Sequence, residues 1–225
     1  MVGIPALLWT IASRDARVLY RLGQFGVWLG FTLAGVRINL VGRENILVGQ
    51  PAVYAANHRS SIEPPVVFFS LKSLFPHLSI LYKAELRRLP ILVWIFDAAG
   101  FVPLERANKG QSLPAVDAAS KTLAAGRSFV IFPEGTRSRT QEMLPFKKGG
   151  FVMAIQAQVP VVPVAVSGSN TVLRRGSMVI RSGTIRVEFA PPIPTAGMTF
   201  SDRSDLAESA RSAIAARLAA STGPS

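Results

Sequence analysis

Beyond residue 41 short apolar runs alternate with longer amphipathic segments, and run length separates strand from helix. Residues 53–56, 79–82, 101–102, 128–132 and 161–166 read as strands, the last dense in valine. Residues 65–71, 86–98, 113–125 and 150–158 read as helices, the third closed by Gly126. Pro90 either kinks the 86–98 segment or marks its true start. Segments 177–181 and 184–189 flank Ser182-Gly183, a pair suited to a hairpin turn. Residues 202–219 form an alanine-rich terminal helix with Ser201 as its N-cap. The alternation predicts an α/β fold whose mixed, mostly parallel central sheet is flanked by helices, the hairpin supplying its antiparallel part. Pro163 is out of place inside 161–166, because proline cannot donate to a ladder and belongs at an edge or bulge.

The first forty residues are the least polar. Residues 4–11 are apolar, Arg14, Asp15, Arg17 and Arg21 interrupt, and 22–36 carries no charge. A spanning helix needs ~20 mainly apolar residues. The second run is shorter, so the pattern predicts an apolar N-terminal helical hairpin lying in a membrane interface, its arginines reaching headgroups. On this reading residues 1–40 dock to the membrane and 41–225 form the domain behind them. A buried helix pair, or a span over 22–40, are the alternatives. A cleavable signal peptide fits poorly, since the basic cluster lies between the apolar runs.

Composition narrows the class. The 225 residues are 49% hydrophobic and 17% charged, with net charge +12 and 25 basic side chains, mostly arginine. Arginine's planar fork suits phosphate, whether on nucleic acid, a membrane or a small substrate. The arginines are scattered and no nucleic-acid module is present, so a pI near 11.2 with mean hydropathy +0.33 points to a membrane surface and no nucleic acid. Cysteine is absent, which excludes disulfides, a thiol nucleophile and thiolate metal sites. His58 and His77 are the only histidines, and no metal-ligand cluster forms around them.

Two stretches carry chemistry. Asn57-His58-Arg59-Ser60-Ser61-Ile62-Glu63 follows the 53–56 strand and precedes Pro64 and Pro65, which suit the first turn of a helix. It therefore lies at a strand's carboxyl end, where open α/β sheets place ligand sites. Five positions is not one helical face, so the loop must fold back for His58 to meet Glu63. A carboxylate on one ring nitrogen fixes the tautomer that lets the other accept a proton. A lone loop histidine is equally an ordinary surface residue. Phe132-Pro133-Glu134-Gly135-Thr136-Arg137-Ser138-Arg139 follows the 128–132 strand. There Gly135 permits a tight turn with amides available to an oxyanion, and the arginines offer bidentate bonds to phosphate. Ser60 and Ser61 lack a nucleophile elbow and are assigned to turn hydrogen bonding.

With segments 100–106, ending in Arg106, and 159–166, these stretches form four blocks in order. They resemble the four signature blocks of the glycerolipid acyltransferases, in the 1-acylglycerol-3-phosphate acyltransferase branch. The resemblance covers residues 53–168, and 132–139 followed by Leu144-Pro145-Phe146-Lys147 is its most specific part. It implies that His58 is a general base and that Glu63 stands where the family has aspartate. It implies that Arg106 holds an acceptor phosphate, and that Glu134, Gly135, Thr136, Arg137 and Lys147 belong to the acceptor-binding region. Lys83 resembles a lysine near the thioester, and Pro163 one on the acyl-donor side. The implied reaction passes an acyl chain from acyl-CoA or acyl carrier protein to a phosphorylated lysolipid, without cofactor or metal. The implied setting is monotopic, on anionic lipids at the cytoplasmic face. Another lysolipid or glycerol phosphate acceptor, a lipid hydrolase, a nucleic-acid binder and a non-catalytic relative that lost activity through Glu63 are the alternatives.

Overall fold

The computed structural model describes residues 17–88, 93, 96–97, 101–104, 112–138 and 142–221. Strands β1 (Val36–Val41), β2 (Val53–Ala56), β3 (Leu78–Lys83), β4 (Val102–Leu104), β5 (Ser128–Ile131), β6 (Val161–Ser167) and β7 (Gly183–Phe189) form a sheet ordered β1-β7-β6-β2-β5-β3-β4. Every neighbouring pair is parallel except β6 with β7. The fold is thus the mixed, mostly parallel α/β sheet that the alternation predicts. Helices α1 (Arg17–Leu33), α2 (Glu63–Ser70), α3 (Ser112–Ala124), α4 (Gly149–Ala157), α5 (Ser169–Val172) and α6 (Arg203–Ala220) accompany the sheet.

Strand side chains alternate between two cores, as the two-residue period of a strand requires. Tyr54, Ala56, Val130, Val162, Val164 and Val166 face one core with Phe31 of α1 and Val66, Val67 and Leu71 in and after α2. Val53, Ala55, Phe129, Ile131 and Val161 face the other with residues of α3, α4 and α6. Both faces of β2, β5 and β6 are buried, which is why these strands read as continuous apolar runs.

Two expectations are corrected. Residues 177–181 form no strand. β7 pairs in parallel with β1 from Val36↔Gly183 to Val41↔Glu188, so the place expected for a hairpin partner belongs to β1. In β1 the Val-Arg-Ile-Asn-Leu alternation faces core and solvent in turn. Pro163 lies in a central strand, not an edge, opposite Ala55 of β2. Its carbonyl accepts the Ala190 amide at 2.9 Å, and the β6–β7 ladder begins only at Val164↔Phe189. The missing N–H therefore falls where that ladder has ended.

Of the expected hairpin, residues 1–16 lie outside the described part, as does most of the 86–98 segment. The second apolar run begins its helix at Arg17 and ends it at Leu33. Tyr20 anchors that helix, donating to the Leu78 carbonyl at 2.6 Å and packing on Phe68 and Phe75. Burial pushes its hydroxyl up to about 12, with the Arg127 guanidinium opposing the rise. The phenol is therefore neutral throughout the physiological range. Outward, Phe25, Trp28, Leu29 and Leu33 are exposed. Among the described residues no helix is long and apolar enough to cross a membrane.

Candidate active site

Strands β6, β2 and β5 are neighbours and run the same way, so their carboxyl ends deliver three loops to one place. Asn57, the first residue beyond β2, is fully buried. It donates to the Val166 carbonyl at 3.0 Å and accepts the Val166 amide at 2.7 Å. Its side chain thus extends the β2–β6 pairing by one step and sets the exit of the loop carrying His58.

The loop folds back as the dyad requires. His58 Nδ1 lies 3.0 Å from Glu63 Oε2, with the imidazole side chain 18% exposed and the glutamate side chain 0%. Glu63 opens α2, followed by the two prolines, so the helix start fixes its backbone. The same Oε2 accepts the Arg59 amide at 2.7 Å, and Oε1 accepts the Ser169 hydroxyl at 2.6 Å. An ionised carboxylate only accepts, so Nδ1 carries the proton and Nε2 keeps its lone pair. The imidazole also packs on Phe132 with ring centroids 4.7 Å apart.

Ser169 is the site residue that motif reading does not find. It stands just after Gly168, whose φ of 79° and close approach to the Thr184 carbonyl leave no room for a side chain. Ser169→Ala is expected to lower kcat by about 10-fold, roughly the effect of one charge-assisted bond, with KM little changed. Steady-state kinetics of the purified variant check this, and an unchanged kcat would mean that Ser169 only packs.

Glu134 departs from its expected role. Its Oε1 accepts the His58 amide at 2.6 Å and its Oε2 the Leu144 amide at 2.9 Å. With 2% exposure it ties the two strand-end loops together instead of presenting itself to a ligand. Burial is the largest cause of a carboxyl pushed above its ordinary value. The Leu144 and His58 amides oppose that rise and the Glu63 charge adds to it. The folded chain therefore keeps this proton at a pH where the unfolded chain has released it, and stability falls as pH rises through that window. Glu134→Gln removes the titration. The urea midpoint of wild type relative to Glu134→Gln should decline as pH rises from the ordinary glutamate range into mildly acidic conditions, and a constant difference would contradict this.

The remaining candidates divide. Gly135 has φ 70°, and a Cβ there would sit 2.8 Å from Lys147 Nζ, so glycine lets that lysine lie across the loop. The Gly135 amide closes a turn to the Phe132 carbonyl at 2.9 Å, and the Ser138 amide donates to the His58 carbonyl at 2.9 Å. Those two amides are committed to the loop, not held for an oxyanion. Arg137 Nη1 donates to Ser61 Oγ at 2.6 Å, which places its guanidinium against the dyad loop. Thr136 is exposed and Pro163 is buried within β6. Ser60 donates to the Leu173 carbonyl at 2.7 Å, so both serines make structural bonds. Lys83 ends β3, but its side chain, like all of Arg106 and Arg139, lies outside the described residues. Among the described residues no group of three or more His, Cys, Asp or Glu could hold a metal.

A family model for acyltransferases matches residues 37–167, which span the loops after β2 and β5 and end with β6. The chain belongs to the acyltransferase family. It is 33% identical over 183 residues to the 1-acyl-sn-glycerol-3-phosphate acyltransferase of Saccharomyces cerevisiae, covering 80% of this chain and 59% of the yeast protein. It is 32% identical over 187 residues to the human 1-acyl-sn-glycerol-3-phosphate acyltransferase alpha, covering 80% of this chain and 62% of the human one. The chain thus spans about six tenths of the length of these curated relatives. Its fold is that of the crystal structure of PlsC, the 1-acyl-sn-glycerophosphate acyltransferase of Thermotoga maritima. The TM-score is 0.76 at 23% identity, with 95% of this chain and 88% of that one covered.

Proposed function

We propose that this acyltransferase moves a fatty acyl chain from an acyl thioester to the free hydroxyl of a lysophospholipid. The proposed acceptor is 1-acylglycerol-3-phosphate, and the product phosphatidic acid. The carrying observation is a half-open imidazole whose Nδ1 is held by a fully buried carboxylate. The names of the yeast and human relatives support the acceptor.

In this reading His58 Nε2 takes the hydroxyl proton as the acceptor oxygen attacks the thioester carbonyl. The new C–O bond forms, the C–S bond breaks, and the proton passes from the imidazolium to the departing thiolate, leaving an ester and a free thiol. No protein nucleophile is needed. Arg137 and Lys147, with Arg106 by resemblance, hold the acceptor's phosphate, and this orientation lowers the entropic part of the barrier. Glu63 does the work of the family's aspartate because Ser169 and the Arg59 amide hold its longer side chain. The exposed apolar side of α1 faces lipid, in a monotopic arrangement that keeps the acceptor within reach.

The phosphate clamp gives the test. Arg137→Ala should raise KM for lysophosphatidic acid by about 10- to 100-fold, the range of one charge-assisted contact, while KM for the acyl donor stays near wild type. Monoacylglycerol, which lacks the phosphate, should be a poor acceptor for both proteins. Equal changes in both KM values would remove Arg137 from the acceptor site.

A further inference from the structure

The loop between α5 and β7 holds three apolar side chains in water. Met178 is 97% exposed, Val179 65% and Ile180 42%. The loop is nevertheless pinned. The Ser177 amide donates to the Arg174 carbonyl at 3.1 Å, the Val179 amide to Ser177 Oγ at 3.0 Å and the Arg181 amide to the Val172 carbonyl at 2.8 Å. Adjacent exposed Met, Val and Ile on an ordered turn form a patch that costs free energy until something covers it.

The surrounding charge says what covers it. Arg174 and Arg175 precede the tip and Arg181 follows it, all exposed. From residue 143 to residue 187 there is no Asp or Glu, so no carboxylate within the loop offsets Arg174, Arg175 and Arg181. An apolar tip in a cationic collar matches the interface of an anionic bilayer, where apolar groups sink below the headgroups and guanidinium groups pair with lipid phosphates. A nucleic acid would use the cations and leave the apolar tip wet.

We propose that the 174–181 loop is a membrane-contact loop that inserts Met178, Val179 and Ile180 into an anionic lipid surface. It is a second contact, separate from the apolar side of α1, and it lies between α1 and the candidate site. At one end Arg175 Nη1 donates to the Arg137 and Ser138 carbonyls at 3.3 and 3.4 Å. At the other, Ser182 packs on Gly35, just past the end of α1, where Leu33 is 79% exposed. Lipid engaged by the loop is thereby held beside the loop that bears Arg137. The adsorption itself does not require acyl transfer, so it is read without turnover.

The absence of cysteine allows a direct test. Val179→Cys can carry a single environment-sensitive fluorophore, with Ala216→Cys on the exposed side of α6 as the control. Mixed with phosphatidylcholine vesicles doped with phosphatidylglycerol, the label at 179 should shift to the blue and be quenched by spin labels in the acyl region. The label at 216 should do neither. Combining Arg174→Gln and Arg181→Gln with the label at 179 should raise the anionic lipid concentration needed for half response by about 10- to 30-fold. A silent label at 179 overturns the proposal, whether or not the chain sediments with the vesicles. A blue shift without vesicles that grows with protein concentration also overturns it, because a second copy of the chain then covers the loop.

Discussion

His58→Ala is expected to lower kcat for acyl transfer by roughly 10²- to 10⁴-fold, the range of positioned acid–base catalysis. The fold should be retained, at a cost of about 1–3 kcal/mol for the buried Glu63 carboxylate that loses one donor. The His58 backbone makes its bonds to Glu134 and Ser138 through the amide and carbonyl, which alanine retains. The imidazole itself contributes a contact with Phe132 and the bond to Glu63. Thermal unfolding and turnover of the purified variant separate the two effects. A folded His58→Ala protein with near wild-type turnover would remove the base assignment.

Glu63→Gln should approach the same loss by a different route. Three donors point at the carboxylate: His58 Nδ1–H, the Arg59 amide and the Ser169 hydroxyl. Glutamine has a single accepting oxygen and no charge. With its NH₂ toward Ser169, whose hydroxyl can turn to accept, Nδ1–H keeps its acceptor. The imidazolium formed in the transition state then loses the anion that stabilises it. If the NH₂ faces Nδ1 instead, the imidazole is driven to the tautomer whose Nε2 carries hydrogen and cannot accept a proton. We expect kcat to fall by about 10³-fold or more, as expected when an orienting carboxylate becomes an amide. In that second orientation stability should also fall by about 1–3 kcal/mol, because the Arg59 amide is left facing a donor. Glu63→Asp separates charge from reach, since it restores the charge on a side chain one methylene shorter. Partial recovery above Glu63→Gln is expected, and a Glu63→Gln enzyme as active as wild type would contradict the dyad.

The parts of the fold and site legible in the sequence were those with local signals. β2 and β5 are apolar runs because both faces are buried, and Pro64 and Pro65 mark the start of α2. The distance from His58 to Glu63 in sequence required a folded loop, and a 3.0 Å contact is what such a loop yields. Ser169 was not legible, because its bond to Glu63 spans 106 positions and exists only because β6 lies beside β2. The structural duty of Glu134 was hidden for the same reason: its partners are amides in two other segments. Residues 177–181 and β1 share a different cause. Both offer β-branched residues near a turn, and local pattern cannot decide which of two such segments meets β7. The place goes to β1, which buries Val36 while leaving Arg37 and Asn39 exposed.

The most direct measurement is mass spectrometry of the products formed by the purified chain from lysophosphatidic acid and an acyl thioester, with the released thiol counted in parallel. Phosphatidic acid and free thiol are expected in equal amounts, and neither above background with His58→Ala. Thiol release accompanied by free fatty acid, with no phosphatidic acid, would make water the acceptor and contradict the account. So would a folded wild-type chain that yields no acylated product from lysophosphatidic acid.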